Sequence, residues 1–171
     1  RVLFSEAVHL SQLSAGTTML SFYVQCPPVG LLAAASDAAG RVSAYRSLRN
    51  YKDKIALVCR VNQGNAAEVT FTPMQAQDID GTGAKPLANA IPIFYNANTA
   101  TGDAFTAETS GTDFQTDASI ADKIVMFEFQ TAELDLANGF GHIAVATSAS
   151  NAANVTSAEI LGLLRFQQSV P

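Results

Sequence analysis

The chain has 171 residues and a mass of 18.0 kDa, with 48% hydrophobic and 15% charged side chains, the size and composition of one globular domain with room for an appended arm. The charged share lies below the usual quarter or so, but a chain this long buries roughly two-thirds of its unfolded surface, which excludes disorder as the ground state. No apolar run reaches the ~20 residues of a membrane span, and residues 1–20 lack the charged, apolar and small-residue succession of a signal peptide, so the expectation is a soluble protein used without a membrane.

The first forty residues differ from the rest. Residues 2–13 mix apolar and polar side chains without strict alternation, residues 18–25 read as a strand, and Pro27 and Pro28 force an extended kink. Residues 31–40 are rich in alanine and broken by Asp37 and Gly40. Residues 1–40 therefore read as an extended N-terminal arm with a first strand. A short helix over 31–39 is the alternative, given the helix propensity of Ala and Leu.

Residues 41–171 read as the folded domain. Short β-branched and aromatic runs at 42–47, 54–62, 67–75, 91–96, 113–116, 123–130, 142–147 and 159–166 are separated by Gly, Asn, Asp and Pro clusters, which predicts an all-β fold, an antiparallel, jelly-roll-like β-sandwich. Along 123–129, Val125, Phe127 and Phe129 share one face and Ile124, Met126 and Glu128 the other, so this strand is expected to be central and largely buried. On the strand read at 67–75, Val69 and Phe71 point inward and Glu68, Thr70 and Thr72 outward.

The connections carry their own signals. Asn62-Gln63-Gly64-Asn65 predicts a tight hairpin between antiparallel neighbours. Residues 131–135 predict one helical turn, ended by Asn138 and Gly139 in a left-handed stop. Residues 75–89, 99–116 and 148–157 read as long polar loops with small side chains, suited to lateral contacts.

The net charge of −5 is unevenly spread: residues 1–60 hold seven basic and three acidic side chains, the remainder three and twelve. Arg41, Arg46, Arg49, Lys52, Lys54 and Arg60 fall within twenty positions and predict either solvated strand ends or a positive stripe able to dock an acidic protein partner. The acidic whole repels nucleic acid, and no groove-reading motif accompanies the stripe, so no nucleic-acid partner is expected.

Residues that could carry chemistry are few. Cys26 and Cys59 lack metal-ligand spacing and read as reduced, buried thiols, with a bridge between them left open. His9 falls in the arm and His142 at a strand start, and no nucleophile elbow or paired cysteine nucleophile accompanies either, so no catalytic residue is assigned. Asp78 and Asp80, with Thr82 and Gly83, fit part of a calcium-loop template, but position twelve is Asn89 where a bidentate Glu is required. An aspartate-stabilised turn is the better reading, and no cofactor is expected. Lys85 is followed by Pro86, which breaks a phosphate-loop pattern, and Asn154-Val155-Thr156 is a formal glycosylation sequon.

Four segments taken in order, 45–51 (Tyr45 to Tyr51), 75–85 around Asp78-Ile79-Asp80-Gly81-Thr82-Gly83, 132–140 around Leu134-Asp135-Leu136-Ala137-Asn138-Gly139, and 150–157 ahead of the last strand, resemble small virion structural proteins of tailed bacteriophages. The likeness covers about residues 41–168. It implies a capsid decoration, or cement, protein: made in the host cytoplasm, placed on the outer capsid surface of the virion, partnered with the major capsid protein, without enzymatic activity, and homo-oligomeric, with a trimer as one option. The contacts expected on that basis are the apolar arm residues Val2, Leu3, Phe4, Leu10 and Leu13 and the basic Arg41, Arg46 and Arg49. Two other readings stay open: a head-to-tail or tail component of the same kind of particle, and a carbohydrate-binding sandwich using Tyr45, Tyr51 and Tyr95 as stacking platforms.

Overall fold

The longest strand sets the architecture. In the computed structural model, which describes residues 25–164, the run Tyr51–Gln63 forms a single strand, β4, flanked on both sides by antiparallel partners. Its alternate residues Ile55, Leu57, Cys59 and Val61 are buried while Lys54, Arg60 and Asn62 face out, as the period of two requires.

The other strands in chain order are β1 (Val29–Ser36), β2 (Arg41–Val42), β3 (Arg46–Ser47), β5 (Thr70–Ala76), β6 (Lys85–Pro86), β7 (Ile91–Asn96), β8 (Thr106–Gly111), β9 (Phe114–Gln115), β10 (Asp122–Gln130), β11 (His142–Thr147) and β12 (Asn154–Leu164). One sheet runs β1-β12-β4-β10-β7-β8, and the second runs β2-β11-β5-β6, with β3 also on β11 and β9 on β5. Every pairing is antiparallel. The chain is thus an all-β sandwich. Leu57, Ile93, Val125, Phe127 and Ile160 of the first sheet pack with Val69, Phe71, Ile143 and Val145 from the second in one apolar core.

Several expectations are corrected. Residues 31–40 are neither arm nor helix: most of them belong to edge strand β1, bulged twice against β12. Pairing with the open edge of β12 overrides the helix propensity of the alanines, so the sandwich begins before residue 41. The predicted hairpin at 62–65 is a crossover, because β4 lies in the first sheet and β5 in the second. Gly64 lies so close to Ala153 O that a Cβ there would sit at 2.6 Å, and the Asn65 amide donates to Asn154 Oδ1 at 2.9 Å, which turns the chain across the sandwich. The expected strand 42–47 is split into β2 and β3, with Ser43 between them exchanging hydrogen bonds with Val145 through its amide and its Oγ. The loops read at 75–89, 99–116 and 148–157 contain β6, β8 and the start of β12. The strand expected at 18–25 lies outside the described residues apart from Gln25, as does the tail of 159–166 beyond Leu164.

One end of the sandwich is closed by a buried cation. The Lys123 side chain is 0% exposed, and its Nζ donates to Gln63 Oε1 at 3.1 Å, Asp117 O at 2.6 Å and Asp117 Oδ1 at 2.8 Å. Gln63 Oε1 also accepts from Thr116 Oγ1, whose oxygen in turn accepts the Val69 amide. This chain of bonds ties β10 and β4 to the approach of β5, across the two sheets. Burial alone would raise the Asp117 carboxyl, but donation from Lys123, Ser119 and Tyr95 outweighs it and holds the group well below the usual carboxylate range.

A carboxyl depressed in the folded state binds fewer protons there than in the unfolded chain. Its contribution is complete above the unfolded value of about 4 and disappears as pH falls through the folded value. Urea midpoints should therefore fall as the pH drops below about 4, and Asp117→Asn should flatten that acid limb while costing about 2 kcal/mol at neutral pH, because Lys123 loses its counter-charge.

Candidate functional site

The end of the sandwich opposite Lys123 carries a concavity with an apolar floor. Gln130 and Glu133 form a capping box around a single-turn 3-10 helix at Thr131–Glu133, and a second turn at Leu136–Asn138 stops at Gly139 with φ of 83°, as the sequence predicts. The loop is pinned from below. Asp135 donates its amide to Gln75 Oε1 at 2.9 Å and accepts Lys85 Nζ at 2.7 Å, while Gln77 Nε2 donates to Asn138 O at 2.9 Å. Lys85 also sits 4.0 Å over the Phe140 ring, a cation–π contact that adds to the anchoring. Opposite, the Leu48 amide donates to Gly141 O at 3.0 Å and so fixes the turn between β3 and β4.

Between these walls lies a cleft of about 320 Å³ lined by Ser47, Leu48, Arg49, Thr131, Leu134, Leu136, Gly141 and His142. Leu48 and Leu134 are buried and form an apolar floor, whereas Leu136 is 53% exposed and Arg49 is exposed at the rim. The volume is at the low end for ligand sites and suits a protruding side chain. His142 pairs in register with Ser47 across β11 and β3, but no hydrogen bond joins their side chains, and the buried His142 Nδ1 has no hydrogen-bond partner among the described residues. The neighbouring carboxylates are engaged elsewhere: Glu133 accepts the Gln130 amide, and Asp135 accepts from Lys85 and Asn138. The arrangement offers an apolar floor and a cationic rim, and among the described residues no aligned acid–base–nucleophile set.

The basic stripe divides on folding. Arg41 is drawn inside: its guanidinium donates to Ala33 O at 2.8 Å, Ala35 O at 3.1 Å and Thr156 O at 2.5 Å, filling the bulge between β1 and β12, and its Nε lies 3.6 Å from the fully buried Asp37. Asp37 accepts Thr147 Oγ1 at 2.5 Å and Thr156 Oγ1 at 3.1 Å, so the Asp37–Arg41 pair joins the two sheets. Lys54 pairs with Glu128, and Arg60 lies 3.3 Å from Glu159 on the outer face of the first sheet. Arg46 and Arg49 remain exposed, and Arg49 lines the cleft. Val2, Leu3, Phe4, Leu10, Leu13 and His9 lie outside the described residues.

The remaining candidates resolve locally. Asp78 Oδ1 accepts the amides of Asp80 at 3.0 Å and Thr82 at 2.9 Å, and hydrogen bonds from Thr82 hold its carboxyl below the usual range, which is the aspartate-stabilised turn. Among the described residues no group of three His, Cys, Asp or Glu side chains is placed to hold a metal ion. Asn154 is fully buried, accepting from Asn65 and donating to Ala67 O at 2.7 Å, so the sequon is inaccessible in the folded chain. Tyr45, Tyr51 and Tyr95 are all buried, which removes the ring platforms on which the carbohydrate-binding alternative stood. Cys26 and Cys59 are both free and buried, and burial pushes the Cys59 thiol up. Sequence reasoning missed Leu134, Leu136 and His142 as cleft residues, because their convergence depends on the β3–β11 pairing.

Comparison of the chain with protein-family models, with curated proteins and with solved structures finds no match. No described helix is long and apolar enough to cross a membrane.

The division of the stripe is measurable. Arg41→Ala should lower the unfolding free energy by about 3 kcal/mol, because Asp37 loses its counter-charge and three main-chain carbonyls lose their donor. Arg46→Ala and Arg49→Ala should each change it by less than about 0.5 kcal/mol, with urea denaturation as the readout.

Proposed function

We propose that the chain is a capsid decoration protein of a tailed-bacteriophage virion, one that works by adhesion and makes or breaks no covalent bond. The observation that carries this reading is the cleft end itself: exposed Arg49 at the rim of an apolar floor, a surface chemistry suited to gripping an acidic, partly apolar protein segment. Its agreement with the resemblance of residues 41–168 to small virion proteins adds weight, since that resemblance transfers no catalytic residue. A sandwich with pinned loops presents such a surface with little ordering left to pay for on binding, and many modest contacts on a repeating shell add up through effective concentration.

On this reading the major capsid protein is the principal partner. The apolar residues Val2, Leu3, Phe4, Leu10 and Leu13 supply a second set of shell contacts. Bridging the seams between shell subunits increases the number of contacts that internal DNA pressure must break.

Co-sedimentation of the purified chain with shells lacking it tests the proposal. Binding should saturate at a copy number that scales with the number of shell subunits, and deletion of residues 1–16 should abolish or strongly weaken pelleting. Absence of binding, or a saturation at only a few copies per particle, as a head-to-tail component would show, overturns it.

A further inference from the structure

The outer face of the first sheet carries an apolar hollow that neither the core nor the cleft uses. Outward-facing Ala56 of β4 lies in register with Leu161 of β12 and with Glu128 of β10. Met126, the next outward residue of β10, pairs with half-buried Phe94 of β7, which carries the apolar surface across to a fourth strand. The ladder between β12 and β4 slips between Gly162 and Leu163, and a bulge of this kind bends a sheet. At that bend lies a groove of about 360 Å³ whose walls include Cys26, Ala56, Met126, Leu161 and Leu163. Leu163 is 46% exposed. The two charged residues on the walls, Lys54 and Glu128, pair with each other, so the groove asks for an apolar, uncharged occupant.

The course of the chain says which segment belongs there. Cys26 forms part of the wall, so the polypeptide that precedes the described residues joins the domain at the groove itself. No Asp, Glu, Lys or Arg occurs between Glu6 and Asp37, and the stretch next to the wall, Met19-Leu20-Ser21-Phe22-Tyr23-Val24, is almost wholly apolar. That stretch covers roughly 9 Å as a helix or roughly 20 Å extended. From β12 to β10 is two strand spacings, roughly 10 Å, so in either form it comes close to or exceeds the width of the hollow. Left in water it would expose a contiguous apolar patch of the kind soluble domains cover.

Tethering favours this occupant over any separate molecule. A segment joined to the wall through Gln25 alone is held at an effective concentration of about millimolar order, which an untethered competitor rarely reaches. We infer that residues 19–24 dock in the groove of their own chain and cover the outer face of β12, β4 and β10. This docking does not depend on a capsid role. It does give residues 1–16 a fixed point of departure on the first sheet, and deleting them leaves the docked stretch in place.

The chain contains no Trp, so an introduced indole is a clean reporter. Phe22→Trp and, in a separate chain, Tyr23→Trp place it in the docked stretch of the otherwise full-length protein. At least one of the two should show blue-shifted emission and several-fold slower quenching by acrylamide than the same chain unfolded in urea. The shielding should be independent of protein concentration, with a monomer in sedimentation velocity. Adding Leu163→Glu or Met126→Glu to the shielded reporter should raise its quenching several-fold, with circular dichroism unchanged because both side chains lie on the outer face. Two indoles that are as exposed as in urea overturn the docking, whether or not the groove variants fold. Shielding that both groove variants leave intact overturns it as well, because the stretch then packs elsewhere. Shielding that rises with concentration together with a larger species assigns the groove to a second copy and overturns docking within one chain. None of these measurements uses shell protein, so a failure here leaves co-sedimentation untouched, and a failure to pellet leaves the indole readout untouched.

Discussion

The ammonium of Lys123 is the interaction on which the geometry of the sandwich's acidic end depends. A cation removed entirely from water is tolerated only when its donors are matched, and Gln63 Oε1, Asp117 O and Asp117 Oδ1 supply three acceptors for its three protons. Satisfying it fixes the position of Gln63 at the end of β4, of Thr116 beside β5 and of the whole 117–121 loop. An apolar residue at position 123 would remove the desolvation cost, yet it would also release the loop. The buried charge is therefore better understood as a device for specifying one loop conformation than as a source of net stability.

The Asp37–Arg41 pair acts in a similar way at the edge of the first sheet. A bulged edge strand leaves main-chain carbonyls without ladder partners, and unpaired carbonyls on an edge invite other strands. Arg41 occupies those of Ala33 and Ala35 with its planar, multi-donor head, and Asp37 balances its charge while holding Thr147 and Thr156. Gly40, at φ of 72° and with Thr147 O where a Cβ would lie at 2.7 Å, lets the chain turn tightly enough to bring the two residues together. Five of the six basic side chains close in sequence thus serve different ends: one seals an edge, two pair across the outer face of a sheet, and Arg46 and Arg49 stay exposed.

The fold class was legible because its determinants are local. Alternation in β4, β5 and β10 identifies strands and assigns their inner faces, and the Asn138-Gly139 stop follows from backbone conformation alone. Pairing was not legible in the same way. Asn62-Gln63-Gly64-Asn65 is compatible with a hairpin or with a crossover, and only the fit of Gly64 against Ala153 and of Asn65 against Asn154, ninety residues or so downstream, selects the second. Strand β1 was hidden by its alanines, which carry no pattern. The candidate site was half legible: Arg46 and Arg49 stand out as exposed-type residues, whereas Arg41 looks identical to them until β12 and Asp37 are in place. Leu134 and Leu136 carry no sequence signal beyond being apolar in loop-like surroundings.

These features converge on β10. Its inner face, Val125, Phe127 and Phe129, is the centre of the core, its first buried residue is Lys123, and its two ends lead directly into the 117–121 loop and the cleft. A nine-residue strand inside a two-sheet core bends little, so the positions of the two ends are set relative to each other by the same packing that makes the domain stable. Rigidity of that kind has small value for chemistry that needs a closing lid, and large value for repeated adhesion. On the proposed decoration reading, each copy placed on a regular surface would present its contact groups at the same spacing, and the cost of orienting them is met once, in folding.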